Sequence, residues 1–242
     1  MGNQTWSVII MCYNEAGNLP LLVHKLQQTL TKLTTNTTEI IIVNDGSTDE
    51  SMNDILALAE QYSNVRYIDH MVNKGIGHTL LSGYKAARYE NVTALPGDGQ
   101  FDPDELLPFG DVPEKHFVSF YRIENTHYSM SRNILSWINK ILNRLFLGIR
   151  MHDVNWVKIY KRSELQKIHF AITSSLIETE ICSKLLLMGN CIREVESKYL
   201  PRQRGKSRGA SLKIVMMALR DILKLILVIQ IFRITLFFSK KV

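Results

Sequence analysis

The stretch Ala94-Leu95-Pro96-Gly97-Asp98-Gly99-Gln100-Phe101-Asp102-Pro103 decides the fold. Residues 92–95 form a short apolar run that reads as a strand and stops at Pro-Gly. Just beyond it a carboxylate (Asp98) and an amide (Gln100) stand two residues apart. At the carboxyl edge of a parallel sheet, such hard oxygens suit a divalent cation held against a diphosphate. Read in isolation, the same letters spell a Pro-Gly-Asp-Gly turn with no ligand, so the surroundings decide.

On both sides of this stretch, short apolar runs alternate with segments of helical period, the pattern of βα units in an α/β, mostly parallel sheet. Residues 8–11 read as a first strand, and Pro20 suits the first turn of the helix that follows, capped by Asn18 or its neighbour. Residues 40–43 are four β-branched side chains in succession, a strand buried on both faces. Asp49 and Glu50 stand where the next helix begins and suit its dipole. Strands are expected at 65–68 and 117–120, and helices over 75–88 and 176–188, the latter stopped by Gly189-Asn190. Leu135, Ile138, Ile141, Leu142, Leu145 and Phe146 recur at helical spacing within 132–149. Composition shifts near Gly209, which divides the chain into an α/β domain, 1–209, and a basic, apolar helical tail, 210–242.

The formal net charge of +6 hides an asymmetry, because residues 198–242 carry +10 and residues 1–197 carry −4. No stacking aromatic interleaves with the basic cluster at 202–208, which argues against nucleic acid as a partner. An anionic membrane surface suits such a tail. Residues 225–238 are a 14-residue run containing Gln230 and Arg233, short of the roughly 20 apolar residues of a span. They read as a helix lying in the interface or docking on a small membrane-protein partner. No signal peptide is expected before the first strand, which places the chain in the cytoplasm, peripheral on the cytoplasmic face of a membrane. Cys12, Cys182 and Cys191 lack metal-ligand spacing and read as small buried side chains in a reducing compartment.

Strand ends at the carboxyl edge are where α/β sheets bind ligands, so Tyr13-Asn14-Glu15 and Asn44-Asp45-Gly46-Ser47 are expected to face one crevice. A carboxylate there can accept from a ribose or a base edge, and Gly46 permits the tight turn that brings backbone close. Arg202, Arg204, Lys206 and Arg208 form a dense cationic loop, either a solvated charge run or a clamp on phosphates. Arg122, just after the strand at 117–120, is placed to serve the same pocket. His152 and Asp153 are adjacent, and neighbours in a strand point to opposite faces, so they make no relay with each other. Asp153 remains a candidate base or organiser of a phosphate network.

At this point the chain resembles the family 2 glycosyltransferases, and among them the dolichyl-phosphate mannose and polyprenyl-phosphate hexose synthases. Four segments carry the resemblance in family order: residues 8–15, 42–49, 73–77 with Gly83, and 98–103. The loop Arg202-x-x-Gly205-x-Ser207-Arg208 resembles the family's closing basic element. The resemblance implies a GT-A fold, a nucleotide-sugar donor, Mg²⁺ or Mn²⁺, and inversion at the anomeric carbon. By matched position it implies that Met11, Tyr13, Glu15, Val43 and Asp45, with Asp98 and Arg122, bind the nucleotide sugar. Asp98 and Gln100 would hold the metal. Arg202, Ser207 and Arg208 would bind donor and acceptor phosphates. Asp98, Asp153 and Arg122 would be catalytic. The family's Asp-x-Asp is here Pro96-Gly97-Asp98, so the first acid is missing. One carboxylate fewer weakens the hold on a metal or changes the hold on the donor ribose.

The activity so implied is transfer of a hexose from a nucleotide sugar, of GDP-mannose or UDP-glucose type, to a polyprenyl or dolichyl phosphate. Two other readings fit the same letters. One is a glycan-elongating transferase with a sugar hydroxyl as acceptor, and the other is a donor-binding subunit without catalysis.

Overall fold

The computed structural model describes residues 4–33, 37–110, 112–122, 144, 147–201 and 212–239, the last helix by its side chains only from 221 onward. Seven strands make one sheet: β1 (Trp6–Cys12), β2 (Thr38–Asn44), β3 (Val65–Asp69), β4 (Asn91–Pro96), β5 (His116–Arg122), β6 (Lys158–Lys161) and β7 (Cys191–Ser197). Their order is β3-β2-β1-β4-β6-β5-β7. Only β6, among the described strands, runs antiparallel to its neighbours, β4 and β5. Around the sheet lie α1 (Leu19–Leu33), α2 (Ser51–Gln61), α3 (Ile76–Ala86), the short α4 (Arg162–Leu165), α5 (Ile177–Leu187) and α6 (Leu212–Ser239). A 3₁₀ turn spans Pro103–Phe109.

The run of β-branched residues in β2 explains the layering. Side chains alternate across a strand, so Ile40 and Ile42 enter one core with Leu22, Leu26, Ile55 and Leu58. Ile41 and Val43 enter the other, with Leu80, Tyr84, Ile177 and Ile181. Strand β1 divides the same way, Val8 and Ile10 against Ile9. A sheet with helices on both faces needs such apolar runs.

Helix α5 is buried from Ile177 through Leu185, polar residues included. Its outer side is covered by α6, whose Leu225 and Ile229 belong to the same core as Ile181 and Leu185. The buried carboxylates of α5 are therefore all partnered. Glu180 accepts from Ala171 N, Ile172 N and Lys184 Nζ, and Glu178 accepts from Tyr84 and Tyr160.

The structure departs from the sequence expectations in four places. His152 and Asp153, read as strand neighbours, are not in a strand: Asp153 turns the chain by accepting from Asn155 N at 2.9 Å, and Lys158 Nζ takes the carbonyls of Val154 and Trp156. Strand β7 has weak alternation, with residues largely exposed or half-buried, and no sequence signal announced it. Its first residue, Cys191, is exposed rather than buried. Helix α6 is a single helix of 28 residues, of which 221–239 are long and apolar enough to cross a membrane by length and composition. Most of the helical stripe expected over 132–149 lies outside the described residues; Arg144 is helical and residues 147–150 are not.

Candidate active site

The crevice begins as a row across three strands. Met11 of β1 pairs in register with Val43 of β2 on one side and with Pro96 of β4 on the other. Beyond that row the chain leaves each strand by a loop held on its neighbour. Asp45 N donates to Cys12 O, and Gly97 N donates to Met11 O at 2.9 Å. A side chain at Gly97 would place Cβ 2.6 Å from that same carbonyl, so only glycine lets the 97–100 turn start so close to β1.

The loops after β1 and β2 are fastened by side chains. Asn14, at φ 58°, donates its N–H to Ser47 Oγ, and its side-chain oxygen accepts from Thr48 N. Glu15 N donates to Ser51 Oγ, and Gly17 N to Asp54 at 2.7 Å. The Glu15 carboxylate accepts from the Asn18 side chain at 2.7 Å and is buried. Tyr13 is half-buried at the start of this loop.

Asp45 is buried and heavily used. Its Oδ1 accepts from Lys74 N and stands 3.0 Å from His70 Nδ1, and its Oδ2 accepts from Gly75 N at 2.8 Å. The carboxylate thus ties the β2 edge to the loop that opens α3. Gly46, at φ +69°, packs so closely on this loop that a Cβ would lie 2.5 Å from Asn73 N. His70 is held in turn by Ser82 at its other ring nitrogen.

Asp98 Oδ1 accepts from Gln100 N at 3.1 Å, the short-range bond of an Asx turn. The Gln100 amide donates from Nε2 to the Tyr199 hydroxyl at 2.8 Å, and Gln100 O accepts from Leu200 N at 2.8 Å. With Nε2 committed to Tyr199, the amide oxygen is the atom left to serve as a ligand. These two bonds bring the root of the basic loop onto the Asp98 turn. Arg202, Ser207 and Arg208 themselves lie outside the described residues.

Across from this turn Arg122 donates Nε to Asp153 Oδ2 at 2.8 Å. The guanidinium lies 4.7 Å from the Trp156 ring centre and 5.6 Å from that of Tyr199, an aromatic-flanked cation. Asp153 and His152 do part company: the His152 ring stacks on Tyr121 and meets Glu194 at 3.0 Å. Trp156 also donates to Ser197 Oγ, which fixes it against the end of β7.

Sequence reasoning missed Trp156, Tyr199 and His70. Tyr199 had one signal, an aromatic three residues before the basic cluster. Trp156 and His70 had none, since their partners are distant in sequence. Among the described residues no group of three or more His, Cys, Asp or Glu converges as a self-sufficient metal site. The donor set at the Asp98 turn is all oxygen, one carboxylate and one amide, which fits Mg²⁺ or Mn²⁺ sharing its shell with phosphate and water.

A doubly covered, mostly parallel sheet with its functional loops at the carboxyl edge is shared by many α/β proteins. The solved structures that this chain resembles place it in the GT-A class of nucleotide-sugar transferases. The glycosyl transferase family 2 model matches residues 7–173, and the chain belongs to that family. A polyprenol monophosphomannose synthase of Mycolicibacterium smegmatis is 26% identical over 218 residues, covering 83% of this chain and 79% of that protein. A dolichyl-phosphate beta-glucosyltransferase of Trichomonas vaginalis is 32% identical over 156 residues, covering 61% of this chain and 46% of that protein. In fold the chain resembles glucosyl-3-phosphoglycerate synthase of Mycobacterium tuberculosis, solved with Mn²⁺, UDP and glucosyl-3-phosphoglycerate. That likeness has a TM-score of 0.62 at 18% identity and covers 93% of this chain and 80% of that one.

Proposed function

We propose that this glycosyltransferase moves a hexose, with inversion, from a nucleotide sugar to a polyprenyl phosphate at the cytoplasmic face of a membrane. The observation that carries the reading is the pair of bonds from Gln100 to Tyr199 and Leu200, which ties the metal-and-diphosphate turn to the root of the basic loop. Relatives named for polyprenyl- and dolichyl-phosphate transfer support the acceptor.

In this reading Met11, Tyr13, Glu15, Val43 and Asp45 line the nucleoside pocket. Asp98 and the Gln100 amide oxygen would hold Mg²⁺ or Mn²⁺, which supplies charge stabilisation to the departing diphosphate. Arg122 presents a fixed positive charge, held by Asp153 below and by the two aromatic rings beside it. Arg202, Ser207 and Arg208 would bind the donor and acceptor phosphates. An acceptor phosphate is already an anion near neutral pH and needs no proton removed. Positioning and charge stabilisation then suffice, and Asp153 acts as the organiser of Arg122 rather than as a base.

Helix α6 supplies the membrane contact. Its Leu225 and Ile229 side is packed on α5 and its Lys224 donates to Ala171 O, so it offers the bilayer one flank rather than a free rod. A helix held in this way lies along the interface.

A panel of nucleotide sugars offered with a short polyprenyl phosphate and Mn²⁺ tests the reading. Asp98→Ala should lower turnover by about a hundredfold or more, and wild-type rates in that variant would remove the metal assignment. Asp153→Asn should cost only a few-fold with a phosphate acceptor. A severe loss would favour a sugar hydroxyl acceptor and a true base, and no turnover with any donor would favour a donor-binding subunit.

A further inference from the structure

Two groups stand out among the exposed large apolar side chains. One is the outer flank of α6, where Leu223 (72% exposed), Leu227, Ile231, Ile234 and Phe238 recur every three or four residues, with Phe237 beside them. The other is on the connection between β3 and α3: Met71 is 87% exposed, Val72 64% and Ile76 51%. An apolar cluster of that exposure on a loop tip forgoes burial and calls for a partner.

The loop cannot withdraw these side chains into the core, because its backbone is committed to the donor crevice. Asp45 holds the N–H groups of Lys74 and Gly75, and Gly46 lies against Val72 and Asn73. The two apolar groups are joined through one segment. A Cβ at Gly77, next to Ile76, would lie 2.2 Å from the carbonyl oxygens of Thr173 and Ser174, and two residues before Thr173 the Ala171 carbonyl accepts from Lys224. Loop 71–76, segment 171–174 and the Lys224 turn of α6 are therefore continuous along one edge of the molecule. Exposed Lys74 flanks the loop and Lys224 flanks the helix, within the stretch 198–242 that carries +10. Apolar tips flanked by lysines match the acyl boundary and anionic headgroups of a bilayer.

We propose that Met71, Val72 and Ile76 enter the same lipid surface as the outer flank of α6. This second contact fixes the tilt of the protein and sets the mouth of the donor crevice at headgroup depth. The proposal rests on the lipid-phosphate acceptor reading above, and it adds a membrane contact at the nucleoside end of the site. A one-point anchor through α6 would leave the body free to swing. Two points hold the acceptor phosphate and the pocket at one height.

The test uses the full chain carrying Cys191→Ser, since Cys12 and Cys182 are buried, with Met71→Cys bearing an environment-sensitive fluorophore. Vesicles of phosphatidylcholine with phosphatidylglycerol should shift its emission to the blue and raise its intensity several-fold. No change on vesicles that sediment the protein would overturn the proposal. So would a shift that follows protein concentration without vesicles, which would assign the patch to a second copy. Met71→Asp with Ile76→Asp should keep wild-type turnover on a water-soluble short polyprenyl phosphate and lose about tenfold on acceptor embedded in vesicles. Equal loss on both acceptors would place the loop in donor binding and overturn the lipid contact. If the unaltered chain glycosylates no lipid phosphate while the fluorophore responds, the acceptor reading fails and the membrane contact stands.

Discussion

The two sides of the site that we propose for donor and for acceptor are built by different means. On the donor side, β1 and β3 end in loops whose backbone N–H groups are taken by short polar side chains: Ser47, Ser51, Asp49 and Asp54 for the first, Asp45 for the second. On the acceptor side the groups that matter are long and touch through their faces: Arg122 on Trp156 and Tyr199, with Asp153 beneath. The first arrangement fixes backbone, to which a phosphate or a base can be presented with little reorganisation. The second fixes a charge while leaving its approach open, which suits an acceptor of variable length. The two sides meet at the Gln100–Tyr199 bond.

The comparison predicts that the acceptor side depends on one buried group beneath it. Lys158 Nζ is fully buried, donates to Val154 O at 2.6 Å and Trp156 O at 2.9 Å, and lies 3.3 Å from Glu178. Lys158→Met would strand the Glu178 charge with two tyrosine hydroxyls and release the loop carrying Asp153 and Trp156. Loss of one partner of a buried pair costs about 3–5 kcal/mol, so chemical unfolding should show a loss of that size and turnover should fall with it. The double variant Lys158→Met with Glu178→Gln should recover most of the stability but not the turnover, because the loop still lacks its anchor. A single variant within ~1 kcal/mol of wild type would break the distinction, since the loop would then be held by its own turn.

The matching probe of the donor side is Asp45→Asn. An amide offers one oxygen where the carboxylate offers two, so either Gly75 N–H or the Lys74 and His70 pair would face an NH₂ group. A stranded buried donor costs about 1–3 kcal/mol. The expected result is a drop in donor affinity of about tenfold with turnover at saturating donor largely kept. A fall in turnover with affinity unchanged would mean that Asp45 acts on the chemical step and that the two sides are not separable.

The same contrast explains what could be read from the letters. Strands β1, β2 and β4 and their loops were legible because each motif is local: Ile40 to Val43 signals burial, Gly46 a turn, and the acid that follows the strand a ligand edge. That the loops after β1 and β2 share one edge was expected from strand ends alone. The acceptor side was legible only as isolated candidates, Arg122 and Asp153. Their pairing, and the rings of Trp156 and Tyr199 around them, join segments up to 77 positions apart in the numbering. Strand β7 escaped because it is a half-exposed strand of mixed polarity, and its parallel pairing with β5 is set by tertiary contact. His152 and Asp153 read as strand neighbours, yet the Asp153 turn and the Lys158 ammonium claim the backbone groups of Val154, Asn155 and Trp156.

The smallest effect is the most direct comparison of how the two sides open. Burial pushes the Cys12 thiol, beside Ser47 on the donor side, up to about 11. Burial does the same to Cys182, which touches Tyr160 in the cluster around Glu178, again to about 11. At neutral pH roughly one in ten thousand of either thiol is thiolate, so neither reacts quickly, while exposed Cys191 should be alkylated at once. Because burial keeps both thiols protonated, the slow rates at Cys12 and Cys182 report local opening. Cys12 lies under loops, whereas Cys182 lies between the sheet and α5 beneath α6. Mass spectrometry of a timed alkylation should therefore find Cys12 modified several-fold faster, and a nucleotide sugar with Mn²⁺ should slow Cys12 while leaving Cys182 unchanged. If both thiols slow together on adding donor, the two halves open as one unit, and the division between a backbone-held donor side and a side-chain-held acceptor side does not extend to dynamics.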